Sequence, residues 1–422
     1  MNPKISKFAT ILLFFLGVFT FCTKNDVQTA SLENSFGLNG RVIIPNTSEI
    51  SSLDFDSHYN IVAVGYTLIE NGRCHLTIAK TKPNGTIDNN FGDNGLVKVT
   101  DYHDSSPMDL KVTNSNKILV IGSFTKIQFQ GRETIMMRFN EDGTVDQSFG
   151  NNGKVNLDFN AGDIISLNFD SDDFMLIAKY VFETIETNGV LYRNLTGYSI
   201  SKYNYEGVID NSFGENGVVH LTNSISTNCM KILNDGSIVV AGTYYVQPES
   251  ELGMCKLTPK GELDATFADG GIWHMNIIED LGWTNEVFSN ILEDNNGSLI
   301  LSGPGNYATF TSMIQPFLSK FSANGKLDTS FGENGFYWFG NRLIHNPLLQ
   351  IGDKYIVSSW HDERNKIVCV NNKGTVAQDV YTSEIYYLQD MKLFGKNQII
   401  LGGGYKIGDS YHANFALEKI NF

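Results

Sequence analysis

Residues 35–40 read Ser-Phe-Gly-Leu-Asn-Gly, and variants of this phrase return around Phe91, Phe149, Phe213, Phe267 and Phe331. Successive phenylalanines stand 55, 58, 64, 54 and 64 residues apart. A repeat of roughly 40–60 residues that carries several strand-like segments marks a β-propeller, one repeat to a blade.

Working outward from Phe149, the preceding residues supply the rest of one blade. Met108, Leu110 and Val112 alternate, Asn114-Ser115-Asn116 turns the chain, and Ile118–Gly122 is a continuous apolar run. Such a run suits a strand covered on both faces. Ile135–Phe139 gives a third strand and Lys154–Leu157 a fourth. The apolar second strand recurs at Ile61–Gly65, Met175–Lys179, Ile238–Gly242, Leu299–Gly303, Tyr355–Ser359 and Ile399–Gly403, so the count is seven. The sixth repeat keeps this strand but reads Val376-Ala377-Gln378-Asp379-Val380 where the phrase should stand. The chain stops after a third strand at Phe422, while Leu32–Ile44 supplies a phrase and a fourth strand with nothing before it. These halves predict an all-β, seven-bladed propeller of four-stranded antiparallel blades, closed by Arg41–Ile44 beside the last blade. Closure removes the open sheet edges of a linear array.

The phrase, the Asp three residues before it and the Asp/Asn-Gly-x-Ile-x-Val-x-Gly second strand resemble the delta-60-repeat β-propeller family of exported bacterial proteins. The resemblance spans residues 31–422 and departs at Ala268-Asp269-Gly270-Gly271 and in repeat six. It implies the fold and no agreed activity.

The first 21 residues are of another kind. Lys4 and Lys7 precede an apolar run from Phe8 to Phe21, too short to span a membrane comfortably and suited to a signal peptide. Cys22 and a polar tail follow, which resembles a bacterial lipoprotein signal, although Phe21 stands where a small residue is usual. The organisation expected is a signal peptide over 1–21, a tether over 22–30 and the propeller over 31–422. Lipidation of Cys22 would place the chain on the cell envelope as an outer-membrane lipoprotein; secretion is the alternative. Cys74, Cys229, Cys255 and Cys369 fall on strands that are not neighbours, so buried free thiols are expected.

A net charge of −15 argues against a nucleic-acid partner, whose phosphates need a basic face. No Gly-x-Ser-x-Gly, phosphate loop, His-x-x-x-His or Cys-x-x-Cys is present. The Asp-Asn-Gly runs lack the ligand spacing of a calcium loop. No catalytic residue, metal or cofactor is therefore assigned.

The phrase glycines suit positive φ, and each phrase phenylalanine should wedge between blades. Third strands carry Lys80, Arg138, Lys202, Lys256 and Lys320, and eight residues later stand Asp88, Asp146, Asp210, Asp264 and Asp328. Repeat six has Cys369 and Ala377 at these places, a joint loss that predicts contact between base and acid. By the same register Lys419 and Glu33 form a structural ion pair across the closure.

Chain direction puts the regular turns on one face and the variable loops on the other, including insertions at Phe182–Arg193 and Pro304–Gln315. Variable loops on a rigid scaffold are where binding sits. Aromatics gather there, and Trp283, Tyr307, Phe310, Trp360, His361 and Tyr411 are the candidate binding residues for a glycan or protein ligand. Packing of the same rings against the scaffold is the competing reading. The expectation is a non-enzymatic binding or scaffold propeller; a glycan-active or other hydrolytic enzyme using loop carboxylates near the central channel is the alternative.

Overall fold

The computed structural model describes residues 30–422 except 127–130, 161–163, 170–173, 188–189, 222–224, 247–248, 277–286, 304–306, 309–311, 314–315, 340–342, 362–363, 376 and 407–412. Seven antiparallel sheets of four or five strands follow one another along the chain, with their strands in sequential order, and Tyr307–Ala308 pairs with Ser312–Met313 as a separate two-stranded ribbon. Blade 1 comprises Glu49–Phe55, Ile61–Leu68, Cys74–Thr81 and Leu96–Lys98, and blades 2 to 6 repeat the plan. A short helical turn at Glu70–Gly72 interrupts this all-strand pattern.

Blade 7 has Tyr387–Phe394, Gln398–Lys406 and Ala413–Asn421, and its outer edge is supplied from the N-terminal end. Arg41–Ile44 pairs antiparallel with Phe415–Glu418, as the two chain ends require. Ser31–Leu32 adds a second short pairing, to Ile420 and Asn421, so the last sheet has five strands.

The phrase packs six of the seven seams between blades. Phe36, Phe91, Phe149, Phe213, Phe267 and Phe331 are all buried, which stabilises each seam by about 2–3 kcal/mol. The next blade's turn glycine caps several of these rings: a Cβ on Gly143 would lie 3.0 Å from Phe91, and one on Gly374 would lie 2.7 Å from Phe331. The residue after each such ring then donates its N–H to that turn, Gly92 to Asp142 O and Gly332 to Lys373 O, at 2.8 and 2.7 Å. Ala268 makes the same bond to Asn324 while holding φ at +47°, a conformation that the other phrases give to glycine. The described cysteines are all free; Cys229, Cys255 and Cys369 are buried and Cys74 is half-buried.

Candidate functional site

The inner strand of each blade presents an unpaired edge to the central axis, and unpaired backbone amides there need partners. Side chains of neighbouring blades provide several. Leu53 N–H donates to Asp390 Oδ2 at 2.9 Å, Val112 N–H to Asp54 Oδ2 at 2.9 Å, and Ile232 N–H to Asn168 Oδ1 at 3.1 Å. One turn further out, Asn234 N–H donates to Glu293 at 2.7 Å and Asn295 N–H to Gln350 at 2.9 Å. Acids and amides on the inner strands thus stitch one blade to the next.

Three lysines share this level of the channel. Lys111, Lys231 and Lys392 pair with Leu119, Val239 and Ile400, equivalent positions in blades 2, 4 and 7. Lys111 Nζ is 3.1 Å from Asp54, and Lys392 Nζ is 3.9 Å from Asp390. The Ser52 hydroxyl donates to Asp109 at 2.7 Å and lies 3.3 Å from Asp390. Burial pushes the Asp109 and Asp390 carboxyls above the ordinary range, against the pull of Lys392. Asp390 in turn raises the Lys392 ammonium. Burial, then the like charge of Lys392, lowers the Lys231 amine. A glycosidase needs one proton-donating and one ionised carboxyl facing substrate across a gap. Here Asp54, Asp109 and Asp390 each already accept from a backbone amide, Asp109 and Asp390 from their own following residues.

The base register divides. Arg138–Asp146, Lys202–Asp210 and Lys256–Asp264 meet at 2.8, 3.3 and 4.0 Å. Lys80 and Lys320 instead turn to acids at the start of the first hairpin, Asp56 at 3.0 Å and Asp294 at 3.6 Å. The joint-loss reading therefore needs correction for Asp88 and Asp328: a second carboxylate lies within reach of the same ammonium, and the more buried one holds it. At the closure, Glu33 N–H donates to Lys419 O at 2.8 Å. The Glu33 carboxylate accepts from Ser35 and from Asn421, and these bonds lower its pKa to about 2. The Lys419 ammonium lies 4.0 Å from the Phe394 ring.

Asp56, His58 and Glu141 bring ligand-type atoms within 4.8 Å of one another. The Lys80 ammonium stands among them, 3.0 Å from Asp56 and 3.8 Å from Glu141, and does there what a cation would do.

On the variable-loop face, Trp283, Phe310 and Tyr411 lie outside the described residues, as does Cys22 at the proposed anchor. Tyr307 and His361 fall in strands whose side chains there are not described. Trp360 is half-buried and meets Tyr386 edge-on at 5.2 Å; Tyr386 meets Tyr387 at 4.7 Å, and Lys406 lies 5.0 Å over the Tyr386 ring. Sequence reasoning passed over Tyr386 and Tyr387, although a tyrosine pair at a blade crossing is the signal that marks them. Tyr102, by contrast, is buried against Phe124 at 4.7 Å. Packing claims that ring.

A family model described as "Domain of unknown function (DUF5122) beta-propeller" matches residues 113–149 and 233–267. No curated protein matches the chain. Among solved structures, the β-propeller domain of the Trilobed protease from Pyrococcus furiosus is 10% identical, over 89% of this chain and 95% of that one, with a TM-score of 0.49. A protein of unknown function from Dyadobacter fermentans is 11% identical over 94% of this chain and 100% of that one, with a TM-score of 0.44. A prolyl endopeptidase structure is 11% identical over 85% of this chain and 45% of its own, with a TM-score of 0.45.

Proposed function

We propose that this chain is a non-enzymatic recognition or scaffold propeller of a bacterial cell envelope, which binds a glycan or protein ligand on its variable-loop face. One observation carries the reading: among the described residues, the Asp54 and Asp390 carboxylates on the channel are bound to inter-blade amides and lysines and Asp109 to the Ser52 hydroxyl, which leaves the scaffold's rim as the place for ligand contact. Trp360, Tyr386 and Lys406 supply ring faces and a cation there, the combination that holds sugars and aromatic side chains. The lipid anchor at Cys22 and the outer-membrane address rest on residues 1–22. Reading the whole array as delta-60 repeats is supported by the two matched segments, which are equivalent parts of blades 2 and 4.

A glycan array with residues 31–422, followed by product analysis of each bound glycan, tests this function. Binding without turnover that falls on Trp360→Ala is expected; product formation would replace recognition with catalysis. Fatty-acid labelling of wild type and Cys22→Ser tests the anchor, and unlabelled wild type removes it.

A further inference from the structure

In blades 2, 4 and 5 the first hairpin turns through a residue with a left-handed backbone. Asn116, Gly236 and Gly297 hold φ at +59°, +79° and +77°. Each donates its N–H to the carbonyl three residues earlier, of Thr113, Leu233 and Asp294. Blade 1 places Tyr59 at this position, with φ at +61° and its N–H donated to Asp56 O at 2.9 Å. Asparagine and glycine accept that conformation readily, whereas a tyrosine is strained in it. The turn itself does not call for the ring, and strain of this kind gathers where a ligand is held.

Packing accounts for only part of the ring. Tyr59 meets Phe394 of blade 7 edge-on at 5.5 Å, and Phe394 meets Phe55 at 5.3 Å. Phe394 is buried by these contacts, while Tyr59 stays 54% exposed. The exposed ring stands at a cleft of about 630 Å³ between the first hairpins of blades 7 and 1, on the face of regular turns. Three amides, Asn397, Gln398 and Asn421, line the same cleft. Gln398 Nε2 donates to Asn421 Oδ1 at 2.6 Å, and Asn421 Nδ2 donates to the Glu33 carboxylate at 2.9 Å. This chain of bonds fixes the planes of both amides. Phe422 N–H donates to Asn397 O at 2.8 Å and ties the turn to the end of the third strand.

From this arrangement we infer that the cleft at the closing seam is a binding site for an uncharged sugar, a pair of hexose rings. The apolar face of one ring lies on Tyr59, and the hydroxyls meet the amides of Asn397, Gln398 and Asn421. An amide offers donors and an acceptor together, which is what a hydroxyl asks of its partner. The volume suits a ligand of that size. The site lies on the opposite face from the variable loops and does not rest on the reading proposed for them.

Titration calorimetry of the protein with maltose, cellobiose and lactose tests it. Saturable binding of at least one is expected, at least tenfold weaker in Tyr59→Asn and unchanged in Trp360→Ala. Tyr59→Asn installs the residue of blade 2, relieves the strained backbone and should melt no lower than wild type. Should it unfold, Gln398→Ala carries the same expectation for binding. No binding of any of the three sugars, undiminished binding by a folded variant, or loss of binding in Trp360→Ala overturns the site. A decaproline peptide bound through Tyr59 where no sugar binds would make the cleft a peptide groove and overturn it equally. Turnover of a glycan held at the rim would sink the recognition reading and leave this site standing.

Discussion

The Lys419 ammonium lies 4.0 Å from the ring of Phe394, and Phe394 occupies the register position that Asp56 holds in blade 1 and Asp294 in blade 5. One lysine position thus meets an acid in some blades and an aromatic ring at the closure. Burial lowers the Lys419 amine, with Glu33 opposing the shift.

This contrast predicts unequal costs for the same truncation. Lys80→Ala leaves the buried Asp56 carboxylate without its cation and should cost about 3–5 kcal/mol. Lys419→Ala strands no buried acid and should cost about 1–2 kcal/mol. Denaturant titration of both variants checks this, and equal losses would contradict it.

Glu418 is almost fully buried and accepts from Arg41 Nε at 2.8 Å, Ser383 Oγ at 2.8 Å, Tyr381 at 3.2 Å and Glu384 N–H at 3.1 Å. It joins the N-terminal strand, blade 7 and blade 6. Glu418→Ala should lose about 3–5 kcal/mol, because Arg41 and the Ser383 hydroxyl lose their acceptor together. Glu418→Gln keeps an acceptor and should lose less in the same thermal melts.

The Asp146 carboxyl is held down to about 2, first by the Ser148 hydroxyl and then, against the opposing pull of burial, by the Ser148 amide and Arg138. A depressed carboxyl contributes stability above its unfolded pKa near 4 and loses it as pH falls through the folded value. Wild type should therefore exceed Asp146→Asn in denaturant midpoint at pH 7, with the gap closing between about pH 4 and 2. A gap that does not change with pH would contradict this account.

Gly65→Ala forces a methyl to within 1.9 Å of the Glu49 carbonyl oxygen, a backbone atom that can move only with its strand. A loss of about 1–3 kcal/mol is expected from thermal melts.

The repeat made the fold readable because Phe149 and its equivalents pack six of the seven seams, and a residue needed at seam after seam recurs. The closure was readable for a similar reason: Arg41–Ile44 and Asn414–Asn421 are complementary fragments of one blade. What stayed hidden lies between repeats. Asp88 and Asp56 are both aspartates near Lys80, and only the depth of Asp56 decides between them. The segment Phe182–Arg193 reads as a loop insertion, yet its strands continue the blade 3 hairpin in register from Phe182↔Leu195 to Thr187↔Val190. Asp54 and Asp390 carry no motif, since their partners are backbone amides of other blades and any residue type presents an amide.

Native-state hydrogen exchange at the Val42 and Ile44 amides probes the ring most directly. A chain whose ends complete one sheet predicts protection at both equal to that of Leu401 in the middle of blade 7, released only by global unfolding. Rapid exchange at Val42 and Ile44 beneath a protected Leu401 would show a loose first strand, and a propeller that is not sealed where this account seals it.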